Sequence, residues 1–223
     1  MSDSFLLDED GIYRCGAFQA CLWQQHGFGT RLGNPDAQVT LRQIHSAVVW
    51  NAHPLEDRER EGDALVTDDA RRSIGVRAAD CVPILLLDSK RRAVAAIHAG
   101  WRGSLAQIVT RALERMAQDF ATDPASVWAA FGPCIRECCY EVGNEVAAQF
   151  APLFPEFRGL SADGKSRLNL PEANRRHLIR AGVSPSLIFD CGLCTACLPE
   201  YFFSYRREPK NPARMVSAIS RLG

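Results

Sequence analysis

Short apolar runs separated by polar turns cover much of this chain from residue 64 onward. The runs span 64–66, 82–87, 93–97, 127–131 and 215–219. Each is too short for a buried helix and is bounded by turn-forming or polar residues, so each predicts a β-strand. The runs at 82–87 and 93–97 lie too close together for a parallel crossover, which predicts that they pair as an antiparallel hairpin.

Two segments carry the helical period instead. Apolar residues recur at helical spacing behind Ser104, which predicts a helix over 104–120 with Ser104 as its N-cap. A second helix is predicted from Pro171 through Arg180, and Gly182 is placed to end it. Strands and helices mixed in this way predict a single α/β (α+β) domain over residues 1–223, with a central mixed β-sheet flanked by helices.

The predicted hairpin places two reactive side chains together. Cys81 precedes its first strand and His98 follows its second, at equal distances from the turn at Ser89 and Lys90. Residues directly opposed in an antiparallel pair have Cβ atoms about 4.5–5.5 Å apart. The sequence therefore predicts that Cys81 and His98 either hold one metal ion or form a thiolate–imidazole pair.

A third candidate ligand is His45, which interrupts the strand-like stretch 41–49. Two imidazoles and one thiolate suit zinc and leave a fourth coordination position open, as in catalytic zinc sites. The spacing also allows a structural interpretation, in which His45 and His98 are hydrogen-bonded core histidines and Cys81 is a small buried hydrophobic residue.

Charge and composition narrow the class of partner. The 26 basic and 26 acidic residues cancel, so no global field draws the chain to nucleic acid or to an anionic membrane, and we expect neither partner. The strongest apolar run, 82–87, is far too short to span a bilayer, and the first thirty residues contain no long apolar stretch. This pattern predicts a soluble, cytoplasmic protein.

Nine cysteines are an odd number in a chain predicted to stay in the cytoplasm, which favours thiols, metal ligands or a nucleophile over a disulfide framework. The run over 191–197 has the spacing Cys-x2-Cys-x2-Cys, but the fourth cysteine of a cluster-binding loop is missing from it. We therefore expect packed free thiols, rather than an iron–sulfur or second zinc site, at Cys191, Cys194 and Cys197, and likewise at Cys134, Cys138 and Cys139.

Six short motifs follow one another along the chain. They read RQIHS at 42–46, GDALVT at 62–67, ADCVP at 79–83, HAGWRG at 98–103, GPCI with CYEVG at 132–135 and 139–143, and FSYRR at 203–207. Together they resemble the laccase-domain polyphenol oxidase family, which is also described as a purine nucleoside phosphorylase family and, in some bacteria, as a peptidoglycan editing factor. The resemblance runs from about residue 26 to the C-terminus.

The resemblance implies an α/β fold with a central sheet flanked by helices, and a zinc ion held by His45, Cys81 and His98. It also implies small-molecule substrates, namely adenosine, inosine and S-methyl-5′-thioadenosine, each cleaved with phosphate, and some adenosine deamination. Copper is the alternative metal, and we expect a monomer or a small homo-oligomer. For deamination, a metal ion lowers the pKa of bound water from 15.7 toward about 7, so that hydroxide is present at neutral pH to attack C6 of adenine.

Further residues of these motifs are candidates for catalysis and substrate binding. The predicted catalytic residues are Cys81, His98 and Asp80, and the predicted substrate-binding residues are Arg102, Gln43, Arg31 and Arg206. Arg102 lies beside a predicted helix N-terminus, where a phosphate or carboxylate is favoured. Asp80 and Asp63 are candidates for the general acid or base, although an aspartate beside a loop is commonly a cap or turn former.

Three other functions would use the same residues. A cysteine hydrolase would employ Cys81 as nucleophile and His98 as its base, without metal. Copper-based phenol oxidation is suggested by the family's name, although three ligands at one site do not build a multinuclear copper centre. A non-enzymatic metal module or editing partner of cell-wall synthesis is the remaining interpretation.

Overall fold

The computed structural model describes residues 5–53, 60–154 and 164–223. Among these residues, short strands dominate and four α-helices are inserted between them. The strands are β1 Phe5–Leu7, β2 Tyr13–Cys15, β3 Gln24–Phe28, β4 Val49–Asn51, β5 Ala64–Thr67, β6 Ser73–Ala78, β7 Val82–Asp88, β8 Val94–Ala99, β9 Val127–Phe131, β10 Glu141–Gly143, β11 Lys165–Arg167, β12 Ile188–Asp190 and β13 Met215–Arg221. The helices are α1 Trp101–Leu105, α2 Ile108–Phe120, α3 Asn144–Ala147 and α4 Leu170–Arg180.

The central sheet has six strands in the order β12-β9-β7-β8-β5-β4. It is mixed, as predicted, because the outer pairs β12/β9 and β4/β5 are parallel, while the three pairs between β9 and β5 are antiparallel. The predicted hairpin is confirmed as β7 and β8. Its register pairs Val82 with Ala99 and Pro83 with His98, two residues away from the symmetric register that the sequence predicts. Cys81 and His98 are therefore not directly opposed.

A second sheet, which the sequence did not predict, covers one face of the first. Its five strands follow the order β1-β2-β3-β13-β6, and every pair is antiparallel. The predicted strand at 215–219 forms the first five residues of β13 and belongs to this sheet rather than to the central one. The α/β class is confirmed, with helices on one face of the central sheet and a sheet on the other.

Burial on both faces explains why the central strands read as continuous apolar runs. Every residue of β7 is buried. Ile84 and Leu86 belong to the core shared with α2, whereas Leu85 and Leu87 belong to the core shared with the second sheet. Full burial of such a side chain stabilises the fold by about 1.5–3 kcal/mol. The hairpin that carries the candidate ligands is thus anchored from both sides.

The helix predicted over 104–120 is interrupted, and this part of the prediction is wrong. The chain forms the short helix α1 and then restarts as α2, because Gln107 between them adopts a left-handed conformation with φ of +60°. Ser104 is not an N-cap: it is buried within α1, and its hydroxyl accepts a hydrogen bond from the Asn174 side chain at 2.8 Å. Gly100 occupies the cap position instead.

The second predicted helix is confirmed as α4. Asn169 caps it by accepting a hydrogen bond from the Glu172 backbone N–H at 3.0 Å. Gly182 follows the helix with φ of +101° and donates its N–H to the Ile179 carbonyl, as a terminating glycine does. In the described parts of the chain, no helix combines the length and the apolar character needed to cross a membrane.

Candidate metal centre

Three elements that are far apart in sequence bring His45, Cys81 and His98 together. His98 lies near the end of β8, Cys81 immediately precedes β7, and His45 lies in the loop before β4. The ligand atoms of the three side chains all lie within 4.8 Å of one another. The two imidazole rings have centroids 5.0 Å apart and meet edge to face at 76°. The convergence predicted for these three residues is therefore present.

The contact between Cys81 and His98 survives the register shift for a geometric reason. Side chains alternate between the faces of a sheet with a period of two, so a shift of two residues leaves both on the same face. Pro83, two residues after Cys81, lies directly opposite His98. Cys81 is therefore the diagonal neighbour of His98, and the residue directly opposite Cys81 in the hairpin is Gly100.

Gly100 leaves the space into which the third ligand enters. A Cβ atom at this position would lie 2.9 Å from His45 Cδ2 and 3.1 Å from Cys81 Sγ. Its φ of −75° is accessible to any residue, so the requirement for glycine comes from close approach and not from the backbone conformation.

Asp63 is completely buried and hydrogen-bonds to both histidines of the centre. Its Oδ1 accepts a hydrogen bond from His98 Nδ1 at 2.9 Å and from the His45 backbone N–H at 3.0 Å. Its Oδ2 accepts from the Ser46 backbone N–H at 2.6 Å and from the Ser46 hydroxyl at 2.7 Å. Since the carboxylate holds the proton on Nδ1, the Nε2 atom of His98 is left unprotonated in the neutral ring and able to bind a metal.

The sequence indicates only part of the role of Asp63. The GDALVT motif contains this residue, which the sequence makes a candidate acid or base or a turn former, but its contact with His98 depends on pairing between β5 and β8. Burial raises the pKa of the Asp63 carboxyl, while the hydrogen bonds from His98 and Ser46 outweigh burial and hold that pKa below its usual range. Asp63 therefore remains a carboxylate.

His45 is held in a strained backbone conformation. Its φ is +58°, in the left-handed region that residues other than glycine and asparagine rarely adopt. This backbone conformation costs about 1 kcal/mol or more. The hydrogen bonds from the backbone N–H groups of His45 and Ser46 to Asp63 maintain this turn. One buried carboxylate thus orients both histidines.

The thiol and the buried imidazole stabilise each other's charged forms. Burial raises the pKa of Cys81, but the positive charge of His98 and hydrogen bonds from both imidazoles lower it to about 6. Burial likewise favours neutral His98, while the Cys81 thiolate and Asp63 raise its pKa to about 9. A thiolate at neutral pH is the form that binds metal or acts as a nucleophile.

Asp80, the remaining predicted catalytic residue, uses both carboxylate oxygens to join neighbouring loops. Oδ1 accepts from the Thr195 hydroxyl and Oδ2 from the Arg206 backbone N–H, both at 2.6 Å. Its φ of +95° is unusual for a non-glycine residue. These contacts fasten the chain immediately before Cys81, and a catalytic role for Asp80 stays a prediction.

Of the four predicted substrate-binding residues, Arg102 and Arg206 interact with Tyr140. Both act electrostatically on Tyr140, as do Cys81 and Asp80. The Arg206 guanidinium lies 5.3 Å from the centroid of the Tyr140 ring and donates to the Glu141 carbonyl at 2.9 Å. The Arg102 guanidinium lies 4.6 Å from the centroid of a Trp101 ring. Both arginine side chains are exposed and can meet an anion.

Sequence reasoning assigned Tyr140 no role, although the residue lies in the CYEVG motif. Burial, together with the negative charge of Cys81, raises the pKa of the Tyr140 phenol to about 12. The phenol is consequently neutral at physiological pH and keeps an O–H that can donate to a bound molecule.

Gln43 and Arg31 have their polar groups engaged in contacts within the protein. The Gln43 amide donates to the Arg77 carbonyl at 2.7 Å and accepts from the Arg77 backbone N–H at 2.8 Å. Arg31 forms an ion pair with Glu208 at 2.7 Å and donates to the Phe202 carbonyl at 3.0 Å. Their predicted roles in substrate binding stay predictions.

The donor set fits a transition metal ion. One thiolate and two imidazoles suit zinc or copper. Histidines that bind metals commonly donate their other ring N–H to a carboxylate, as His98 Nδ1 does to Asp63. Three protein ligands also leave a coordination position for another molecule. The fold and the site together define a class: an α/β protein of two packed sheets in which one cysteine and two histidines that could hold a metal ion meet at the ends of the middle strands β7 and β8.

Comparison with known proteins agrees with this class. The family model described as multi-copper polyphenol oxidoreductase laccase matches residues 23–222, and the chain belongs to that family. It is 36% identical over 181 residues to a purine nucleoside phosphorylase of Clostridium acetobutylicum, covering 80% of this chain and 75% of that protein. It is 38% identical over 199 residues to adenosine deaminase RL5 of an unknown prokaryotic organism, covering 83% and 76%.

A solved structure extends the likeness to nearly every residue. The crystal structure of YlmD from Geobacillus stearothermophilus superposes with a TM-score of 0.87 at 27% identity, covering 99% of this chain and 100% of that one. The family resemblance expected from the six motifs is therefore confirmed, and this solved structure shares the fold.

Proposed function

We propose that this chain is a zinc-dependent purine nucleoside phosphorylase that acts on adenosine, inosine and S-methyl-5′-thioadenosine and also deaminates adenosine. The observation that carries the proposal is the convergence of His45, Cys81 and His98 within 4.8 Å, with His98 oriented by Asp63. The relatives named purine nucleoside phosphorylase and adenosine deaminase support it. We place the enzyme in the cytoplasm, as a monomer or a small homo-oligomer.

The residues that would hold the ion are Cys81 as thiolate and the imidazoles of His45 and His98. When bound there, zinc supplies a Lewis acid that can polarise a substrate oxygen or lower the pKa of water. Asp63 keeps the Nδ1 proton of His98 in place, so that Nε2 presents a lone pair to the centre.

The chain's own polar groups suit the other requirements of phosphorolysis. In that reaction a phosphate oxygen forms a bond to C1′ of the ribose, the C–N bond to the purine breaks, and the purine gains a proton. Arg102 and Arg206 provide the positive charge that a phosphate needs beside the centre. The neutral Tyr140 phenol offers a hydrogen-bond donor to the substrate.

The direct test is an assay of metal-loaded protein with inosine and phosphate. Chromatography should detect hypoxanthine and ribose 1-phosphate in equal amounts, and His98→Ala should abolish both. Release of hypoxanthine no faster than in His98→Ala would refute the phosphorylase. Adenosine without phosphate tests deamination in the same way, through formation of inosine.

A cysteine hydrolase remains the second candidate, because Cys81, His98 and Asp63 lie in the order of a nucleophile, a base and the group that orients the base. The two functions differ in metal content. A wild type that holds one more zinc per chain than Cys81→Ser favours the phosphorylase. An active enzyme whose zinc content is the same in the wild type and in Cys81→Ser, and that is inactivated by alkylation of Cys81, favours the hydrolase.

Copper-linked phenol oxidation is suggested by the description of the family model. One thiolate and two imidazoles can bind a single copper ion. The chain has five histidines in total, and two of them meet at this centre. Oxygen consumption that rises in proportion to bound copper would support this function. A role in peptidoglycan editing without catalysis would require that cells expressing ligand variants keep that function.

A further inference from the structure

Four cysteines gather at a second place, outside the centre formed by His45, Cys81 and His98. The sulfur atoms of Cys138, Cys139, Cys194 and Cys197 all lie within 4.8 Å of one another. The sequence predicted packed free thiols here because the Cys-x2-Cys-x2-Cys run lacks a fourth cysteine. In the structure the run supplies two sulfurs, from Cys194 and Cys197, and the loop before β10 supplies the other two. Cys191 is not part of the group.

The spacing of the sulfurs fits one tetrahedral ion. With zinc–sulfur bonds of about 2.3 Å, tetrahedral geometry places each pair of sulfurs about 3.8 Å apart. The Cys197 sulfur lies 3.7 Å from that of Cys138 and 3.3 Å from that of Cys139. These distances exceed a disulfide bond of about 2.05 Å. They are short for an iron–sulfur cluster, in which several irons and bridging sulfides separate the thiolates.

The backbone that carries the sulfurs is held in place by contacts of its own. Cys134 and Cys194 form a parallel β-bridge, in which the Cys134 N–H donates to the Leu193 carbonyl at 3.3 Å and the Thr195 N–H donates to the Cys134 carbonyl at 3.0 Å. The backbone N–H groups of Arg136, Cys197 and Ala196 favour the thiolate form of Cys194. Such N–H donors suit a sulfur that carries negative charge. The two loops are thus preorganised for a shared ligand.

Two arginines from elsewhere in the chain contact the cysteine-bearing loops. Arg167 donates to the Cys138 carbonyl at 2.9 Å, and Arg207 donates to the carbonyls of Thr195 at 2.8 Å and Ala196 at 3.0 Å. Four thiolates around a divalent ion carry net negative charge, which these two guanidinium groups offset. Their planar forks reach the backbone of both cysteine-bearing segments, so they also limit the movement of the segments.

We infer that Cys138, Cys139, Cys194 and Cys197 bind a structural zinc ion through four thiolates and that this ion cross-links two loops beside the catalytic centre. One loop continues into Tyr140, and the other contains Thr195, whose hydroxyl holds Asp80 at 2.6 Å. The ion fastens both loops against the hairpin. Four sulfur ligands leave no coordination position for substrate, which is the property of structural zinc sites.

The inference is tested first by metal content in a background that empties the catalytic centre. Full-length Cys81→Ser, purified without chelator from zinc-supplemented medium, should retain one zinc per chain by elemental analysis. Its zinc K-edge absorption should give four sulfur neighbours at about 2.3 Å and no nitrogen neighbour. Absence of zinc in this variant, a mixed nitrogen and sulfur shell, or iron with acid-labile sulfide would each overturn the assignment. Because Cys81 is already replaced, these outcomes do not depend on whether the proposed phosphorylase activity exists.

Substitution at the cluster provides the complementary test. The double variant Cys139→Ser/Cys197→Ser should contain one zinc fewer per chain than the wild type, and amide hydrogens over 138–140 and 194–197 should exchange faster. Cys191→Ser is the matched control, since it removes a thiol of the same run from outside the cluster and should leave zinc content unchanged. Equal zinc content in the wild type and the double variant would overturn the inference, as would a disulfide between Cys139 and Cys197 in the native protein detected by mass spectrometry.

Discussion

Replacing Asp63 by asparagine removes one charge from the base of the metal centre without changing the size of the side chain. Both carboxylate oxygens accept hydrogen bonds at present: Oδ1 from His98 Nδ1 and the His45 backbone, and Oδ2 from the Ser46 backbone and hydroxyl. An asparagine has a single carbonyl oxygen. Its amide NH2 must therefore take the place of either Oδ1 or Oδ2 and face the donors whose hydrogen bonds this oxygen now accepts.

The size of the effect follows from which donors lose their acceptor. If NH2 replaces Oδ2, the Ser46 N–H is left without its partner. If NH2 replaces Oδ1, the His45 N–H loses its partner and the His98 proton moves to Nε2, where it blocks metal binding. An unsatisfied buried donor costs about 1–3 kcal/mol, so we expect Asp63→Asn to lower the free energy of unfolding by about 3 kcal/mol. Loss of a carboxylate behind a histidine ligand weakens metal affinity about 10–100-fold, or about 1.4–2.7 kcal/mol.

The assay pairs two measurements on each protein. Competition with a chromophoric chelator at neutral pH gives the Kd for zinc at the His45, Cys81 and His98 centre, and urea unfolding gives the stability. Asp88→Asn is a matched control: Asp88 is also fully buried, but it lies at the opposite end of β7, and among the described residues nothing hydrogen-bonds to its Oδ2. An amide nitrogen can occupy that side without displacing a donor.

The reasoning about Asp63 is wrong if Asp63→Asn binds zinc within twofold of the wild type while circular dichroism shows a folded protein. It is also wrong if Asp88→Asn weakens zinc binding as much as Asp63→Asn. Either result would separate metal affinity from the hydrogen bond to His98.

Three further outcomes follow from other contacts. Gly100→Ala should weaken zinc binding and activity at least tenfold, because its Cβ meets His45 and Cys81. Gly143→Ala should change neither, because the atoms nearest to its Cβ belong to the flexible Glu145 side chain; equal behaviour of the two variants contradicts this. Tyr140→Phe should reduce kcat/KM about tenfold with unchanged zinc content, as loss of one neutral hydrogen bond predicts, and unchanged kinetics would exclude the phenol from substrate binding. Burial lowers the pKa of His26 from 6.5 to about 4, so the unfolded chain binds more protons between these values, and urea unfolding should show stability falling by up to about 3 kcal/mol from pH 7 to pH 4; a His26→Gln variant with the same pH dependence would contradict the assignment.

The local pattern of the sequence was sufficient for the elements whose surroundings are uniform. Strand β9 was predicted with the bounds that the structure has, and β7 and α4 were close to theirs. Strands buried on both faces and a helix with an asparagine cap carry strong local signals, because every residue of the element meets the same kind of environment. The metal ligands were also accessible, through the hairpin and the family motifs.

Contacts between distant segments determined three features that the local sequence pattern does not predict: the conformation of Gln107, the hairpin register and the second sheet. Nothing in the side chain of Gln107 announces a left-handed residue, and the register of β7 against β8 depends on both flanking layers and not on symmetry about the turn. The second sheet is built from short strands distributed between residue 5 and residue 221, whose pairing no periodicity reveals.

In the two clusters of candidate metal ligands, the sequence determines the type of ligand and the tertiary structure determines which ligands meet. Chain composition and motif order identify the residue types capable of binding metal, since thiolate and imidazole chemistry belongs to the side chains themselves. Which of them meet is a property of how distant segments pack. Folding brings Cys138 and Cys139 to Cys194 and Cys197, and it places the Asp63 carboxylate under His98. Distances between atoms remote in sequence depend on the packing of the whole chain, whereas the chemistry of each donor is already present in its residue.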